Sequence, residues 1–198
     1  MKRKELEMIL QGLAPFGERD PRLEQYATPA DIAADLLWEA LMRGDISGRT
    51  VMDLGCGNGI LSIGAKLLGA REVSGVDIDP KAVKVAMENA AAKGLEISYR
   101  QGSVTTVRGS FDTVVQNPPF GAQKRSADRA FIAKSIEIAP RVYSLHNAIT
   151  EDFVVKMVES LGARCEPVKR FKFEIPYAFD FHRKPKEHFS MVLLRFER

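Results

Sequence analysis

Two short stretches carry residue types and spacings that could do chemistry together. In "VMDLGCGNGIL", Asp53, Gly55, Gly57 and Gly59 stand between an apolar run and a helical pattern. Glycines at such a turn let the backbone come close to a bound nucleotide-like ligand, because no side chain intervenes. Asp77 lies twenty positions beyond Gly57, at the end of the next apolar run, where nucleotide-binding α/β folds keep an acid for ribose hydroxyls. A glycine-rich turn alone is often only tight packing, and an aspartate at a strand end is often only a helix cap. Their pairing at this spacing makes the stretch a cofactor loop. The nicotinamide fingerprint G-x-G-x-x-G is not met: Ile60 stands three after Gly57 and the third glycine comes one residue early, which argues against a dehydrogenase.

The second stretch, "FDTVVQNPPFGAQ", runs an apolar segment into an amide, two prolines and an aromatic. Phe111 to Val115 reads as a buried strand, and Pro118 and Pro119 end it because neither can donate to a sheet ladder. In an open α/β sheet, ligands bind in the crevice beyond the carboxyl ends of the strands, so a stiff tip carrying Asn117 and Phe120 is well placed to hold one. In an arbitrary sequence the same tip would be a plain turn with Phe120 in the core. The glycine loop upstream reverses that preference.

The elements that must position these residues follow from periodicity. "MKRKELEMILQGLAPF" puts Leu6, Ile9, Leu10 and Leu13 on one face of a short helix ending before Pro15. A second helix starts with Thr28 as cap and Pro29 at its first position, and ends at Gly44. Strands "RTVMDL", "REVSGVDI", "EISYRQ", the run before the prolines, and "RVYSL" then alternate with helical patterns, of which "DPKAVKVAMENAAAKG" is capped by Asp79. Alternation of this length predicts an α/β fold with a doubly wound, mostly parallel sheet. Two longer strands, "ARCEPVKRFKFEIP" and "EHFSMVLLRFER", joined by the basic loop "YAFDFHRKPK", predict an antiparallel C-terminal hairpin at one edge.

With 198 residues, 45% of them hydrophobic, the chain supports one core, so residues 1–198 read as a single domain. A net charge of +3 permits a polyanionic partner without demanding one. Cys56 and Cys165 form no metal-spaced pair, and without a signal peptide a disulfide is not expected. No metal site and no membrane span are expected, and the default location is cytoplasmic.

The D-x-G-x-G-x-G arrangement resembles the loop of class I S-adenosylmethionine-dependent methyltransferases, which implies a Rossmann-like fold and S-adenosyl-L-methionine as cofactor. By that resemblance Gly55, Asn58 and Ile60, with Asp53 and Gly57 in the same loop, line the cofactor and Asp77 holds its ribose. Ser103 and Val104 fall where this superfamily often keeps an acid against the adenine amine; a serine there brings no charge, so a weaker contact is expected. "NPPF" resembles the motif of methyltransferases acting on planar nitrogens. The adenine amine is a poor nucleophile because its lone pair is delocalised into the ring. Acceptors on both its hydrogens, Asn117 and the Pro118 carbonyl held by Pro119, free that lone pair, while Phe120 stacks on the base.

"LEQYATP", "DLGCGNGILSIGAKLLGA", "VYSLHNA", "NPPFG" and "FHRKPKEH" together resemble the methyltransferase-like-five family, which methylates an adenine amine in small-subunit ribosomal RNA. The likeness runs over nearly the whole chain. It implies that residues 1–44 cap the cofactor site, with Gln25, Tyr26 and Thr28 joining it. It also implies RNA (rRNA) as substrate and a small zinc-binding activator protein as partner. The strand bearing Leu95, Ile97, Tyr99 and Val104 is expected at a sheet edge, where a partner strand would cover apolar residues. Lys124, Arg125, Arg129, Arg183, Lys184 and Lys186 are candidates for phosphate contact. His146 is given no catalytic role. Two other readings compete: a release-factor glutamine-amide methyltransferase, whose N-terminal domain would not fit before the glycine loop, and a non-enzymatic RNA-binding protein on this fold.

Overall fold

The apolar runs form strands β1 (Thr50–Leu54), β2 (Glu72–Asp77), β3 (Ser98–Gln101), β4 (Thr113–Gln116), β5 (Arg141–Asn147), β6 (Arg164–Glu174) and β7 (His188–Glu197). The helices are α1 (Arg3–Gln11), α2 (Ala30–Met42), α3 (Ile60–Leu67), α4 (Pro80–Ala92), α5 (Ala127–Ile138) and α6 (Glu151–Ser160). The structure, a computed structural model, describes residues 1–15, 28–119, 127–174 and 188–198.

The strands join in one sheet of order β3-β2-β1-β4-β5-β7-β6. The first five are mutually parallel, and β7 enters antiparallel between β5 and β6. This is the doubly wound, mostly parallel sheet with an antiparallel C-terminal pair that the alternation predicts. Parallel strands must be covered on both faces. One face packs Val51, Val115, Leu145 and Leu193 against Leu6, Leu37 and Ile63; the other packs Leu54, Val114, Val142 and Val192 against Ile132, Ile136, Val154 and Val158. Each such side chain contributes roughly 1.5–3 kcal/mol by leaving water. At the amino ends of the parallel strands, buried Asp45 accepts from the Tyr143 hydroxyl at 2.7 Å and pairs with Arg141 at 3.0 Å. At this end, then, the buried carboxylate is matched.

Three local expectations change. Ile9 is only half-buried, whereas Leu6, Leu10 and Leu13 are buried. Helix α2 starts one residue later than its sequence suggests: Pro29 is the N-cap and no side chain caps the helix. The Thr28 hydroxyl is engaged elsewhere. Finally, β3 does lie at the sheet edge, but its apolar neighbours are not the exposed row the sequence suggested. Leu95, Ile97 and Tyr99 are partly buried against the core and Val104 is buried, while Glu96, Ser98, Arg100 and Gln101 face outward. What that edge offers is backbone and polar side chains.

Candidate cofactor and substrate site

Parallel register lines up the carboxyl ends of four strands. Leu54 pairs with Val76 on one side and with Gln116 on the other, so Gly55, Asp77 and Asn117 emerge side by side. Asp77 in turn pairs with Gln101, two residues before Ser103. Along the edge the order is therefore Ser103, Asp77, the glycine loop and the Asn117 tip. These are the residues the sequence singled out, brought to one rim by hydrogen-bond register.

The glycine loop is held by its neighbours. Gly55, Gly57 and Gly59 have φ of 73°, 56° and 86°, the left-handed region where other residues are strained. A Cβ on Gly59 would lie 2.7 Å from the Tyr99 hydroxyl. Both carboxylate oxygens of Asp77 accept backbone N–H groups, one from Gly57 at 2.9 Å and one from Asp79 at 3.0 Å. Asp77 thus shapes the loop as well as standing beside it. Burial nevertheless holds its carboxyl above the usual range.

Asp53 sits under the loop, 1% exposed. One of its oxygens accepts the Ser62 N–H at 2.9 Å; the other, Oδ1, is buried without a partner among the described residues. Burial pushes this carboxyl up to about 7. A buried acid with an open oxygen is the counterpart a cationic ligand needs.

Asn58 is buried beside the loop. Its amide donates to the Ala14 carbonyl at 3.0 Å. Asn89 of α4 donates to the same carbonyl at 3.1 Å and to the Asn58 carbonyl at 2.9 Å, and accepts the Ala14 N–H at 2.9 Å. Two amides therefore tie the N-terminal segment to the glycine loop. The sequence reading missed Asn89, though an asparagine on the buried face set by Ala82, Ala86 and Ala90 was a usable signal. Ile60 and Val104 are both buried in the core. Ser103 caps a short turn: its hydroxyl accepts the Thr105 N–H at 3.3 Å and pairs with the Thr105 hydroxyl at 2.9 Å. One hydrogen-bonding position remains on it for a ligand.

At the tip, Asn117 is half-buried, Pro118 buried and Pro119 half-buried. The Asn117 amide nitrogen donates to the Thr28 hydroxyl at 2.9 Å, and its Oδ1 is buried without a partner among the described residues. A lone buried acceptor costs about 1–3 kcal/mol unless something donates to it. Beneath the tip, Gln116 donates to Ser144 at 3.0 Å, which lies 2.7 Å from His146 Nε2. Burial pushes His146 down to about 3, so it stays neutral near pH 7 and is too weak a base to take a proton there. Gln25, Tyr26, Phe120, Lys124, Arg125, Arg183, Lys184 and Lys186 lie outside the described residues.

The chain matches the methyltransferase small domain over residues 27–143. It is 36% identical to the rRNA N(6)-adenosine-methyltransferase of Danio rerio, over 99% of each chain. An uncharacterized protein of Methanocaldococcus jannaschii is 37% identical over 100% of this chain and 95% of its own length. A solved structure of a Pyrococcus horikoshii protein, provisionally described as an RNA methyltransferase, superposes with a TM-score of 0.92 at 40% identity, over 100% of this chain and 98% of that one.

Proposed function

This chain belongs to the methyltransferase small-domain family and uses S-adenosylmethionine as methyl donor, and from that premise we propose that it methylates the exocyclic amine of an adenine in small-subunit ribosomal RNA. The observation that carries the reading is the unpartnered, buried Oδ1 of Asn117 beside the glycine loop. An acceptor left open there fits an amine hydrogen of the target base.

Bound across this rim, S-adenosylmethionine supplies an electrophilic methyl group. Asp77 and the loop Gly55 to Gly59 hold its ribose and approach it with backbone, Asp53 balances its positive charge, and Ser103 and Val104 border its adenine. Asn117 Oδ1 and the Pro118 carbonyl accept the two amine hydrogens and free the nitrogen lone pair, and Phe120 stacks on the base. The leaving proton passes to solvent, since an amine attacking so strong an electrophile needs no buried base. Arg129, exposed and 4.9 Å from the Phe153 ring, presents a cationic face to RNA. Residues 1–198 act as one domain, with residues 1–44 over the cofactor.

Incubation with rRNA and labelled cofactor, followed by mass spectrometry of nucleosides, tests this. Label in N6-methyladenosine is expected. Label in a glutamine amide of an added release factor, or cofactor binding with no transfer, would overturn it.

Cofactor affinity should depend on pH through Asp53. Its folded value, raised to about 7, means the free protein still holds this proton below neutral, whereas a cation beside it needs the carboxylate. Affinity then falls as pH drops below about 7, by up to about tenfold per unit. The sign for stability is opposite: a raised carboxyl costs the fold progressively more as pH rises from about 4 to about 7. Asp53→Asn should flatten the affinity profile in calorimetric titrations from pH 5.5 to 8.5; an unchanged slope would exclude Asp53.

Among the described residues no helix is long and apolar enough to cross a membrane. Both cysteines are free, which suits a reducing cytoplasm. A small zinc-binding activator adds a strand to the open edge of β3. Co-expression should give a one-to-one complex by size exclusion with raised activity. A monomer working at full rate, indifferent to the activator, would remove the partner.

A further inference from the structure

We infer that the first turns of α5 and α6 form a stacking platform for an unpaired base next to the target adenine in the RNA strand, with Ile149 and Phe153 as its surface and Arg129 as its cation. This inference rests on the proposed RNA substrate.

The fold places the platform at the substrate rim. Strand β5 lies beside β4 and ends at Asn147, and a 3₁₀ turn, Ala148–Thr150, leads from there directly into α6. Helix α5 ends at the opposite side of the sheet, where the Ile138 carbonyl accepts the Phe111 N–H at 2.9 Å just ahead of β4. Its first turn therefore stands at the carboxyl ends of the strands. There Phe131 meets the glycine loop, since a Cβ on Gly55 would lie 2.9 Å from its ring. Arg129, two residues earlier, holds its guanidinium carbon 4.9 Å from the centre of the Phe153 ring.

Folding does not account for the apolar pair. Ile149 is 89% exposed and Phe153 39% exposed. Four apart in consecutive helical turns, they share one face. The turn does not need the isoleucine side chain, because Asn147 already fixes it by accepting the Ile149 N–H at 3.0 Å.

Size and charge select the occupant. Two apolar side chains fall far short of the about 800 Å² that each partner brings to a stable protein interface. They do match one base, and a strand that delivers its adenine to Asn117 must carry neighbouring nucleotides over this rim. Every base has a π-face, and a guanidinium lying on an aromatic ring keeps its edge free for a phosphate. Of the acids at these helix starts, Glu151 is matched by two bonds from Arg170, while Asp128 and Asp152 limit the attraction for a phosphate backbone. The surface thus works by stacking with one phosphate contact, not as a general polyanion site.

Steady-state methylation of transcribed small-subunit rRNA by the full-length protein, at several salt concentrations, separates the two roles. Phe153→Ala should raise KM for rRNA about tenfold, within the range for one lost base stack, with kcat at saturating rRNA within about threefold of wild type. Phe153→Trp should keep the wild-type KM. Ile149→Ala should raise KM about threefold, and its exposed side chain keeps the test valid should Phe153→Ala not fold. In Arg129→Ala the log–log fall of kcat/KM with salt should flatten by about 0.7, one phosphate on a single strand, whereas Phe153→Ala should keep the wild-type slope. Calorimetric affinity for S-adenosylmethionine should stay within about twofold in all four variants.

Wild-type KM in both alanine variants of the apolar pair, a tryptophan variant as poor as the alanine, or a KM rise paralleled by lost cofactor affinity would each overturn the inference. So would a wild-type KM for free rRNA beside a raised one for the assembled small subunit, which would assign the patch to a protein. Failure of the wild-type protein to methylate adenine overturns the proposed function instead, and filter binding of the same rRNA then still decides whether Phe153 and Arg129 take RNA.

Discussion

Asn117→Ala should lower methyl transfer by about 10²- to 10³-fold while leaving affinity for S-adenosylmethionine within about twofold. The expectation starts from Oδ1, which is buried and has no donor among the described residues. In the ground state the adenine amine is planar and its nitrogen lone pair is shared with the ring. As the nitrogen attacks, its hydrogens become more acidic, and an acceptor already in place gains strength without having to reorganise. Such an interaction, made mainly in the transition state, lowers the rate when removed and leaves binding of the other substrate alone. The alanine also frees the Thr28 hydroxyl, which is buried, so a modest loss of melting temperature accompanies the change. Single-turnover rates at saturating RNA, set beside calorimetry, separate the two effects. Turnover within threefold of wild type would mean that the backbone carbonyl alone orients the amine.

The rim of the site was legible in the sequence because each of its parts is local. Asp53 to Gly59 is a strand, a turn and a helix start within one short segment, and glycine identity reports the positive φ the turn requires. Asp77 and Asn117 to Pro119 likewise sit where an apolar run ends, and run ends are readable by period and by proline. What could not be read was which distant groups meet them. Thr28 reaches Asn117 across eighty-nine positions, and Ala14 reaches Asn89 across seventy-five. Such pairs depend on how α1 and α2 lie on the sheet, which no local pattern encodes. Thr28 looked like a cap because threonine before proline usually is one, and tertiary contact overrode that preference. Tyr99 misled for a related reason. An aromatic on an edge strand suggests a sticky edge, yet Gly75 on β2 leaves it room: a Cβ there would fall 2.7 Å from the Tyr99 ring. The glycine that admits the ring is twenty-four positions upstream, so reading β3 alone exposed a side chain that folds inward.

The largest effect on binding should come from Asp77→Ala, which is expected to weaken S-adenosylmethionine by about 100-fold. Hydrogen bonds to a charged acceptor are worth about 1.5–3 kcal/mol each, and about 1.4 kcal/mol is a factor of ten in affinity. One such bond to a ribose hydroxyl therefore accounts for roughly a tenfold loss or more. The remainder comes from the loop. Asp77 accepts the Gly57 N–H and the Asp79 N–H, so its removal leaves two backbone donors without partners and loosens the turn that the cofactor approaches. The two contributions can be told apart with Asp77→Asn. The amide keeps the size but must present its NH₂ either to a backbone N–H or to the ribose, and it cannot satisfy both donors and ligand with its single oxygen. Affinity should therefore stay at least about tenfold below wild type in the asparagine variant, even where thermal melting recovers relative to alanine. If the asparagine variant bound the cofactor as tightly as wild type, the charge of Asp77 would have no part in the site and only its loop bonds would matter. If alanine itself left affinity unchanged, the ribose would have to lie elsewhere along the rim that Ser103, the glycine loop and Asn117 define.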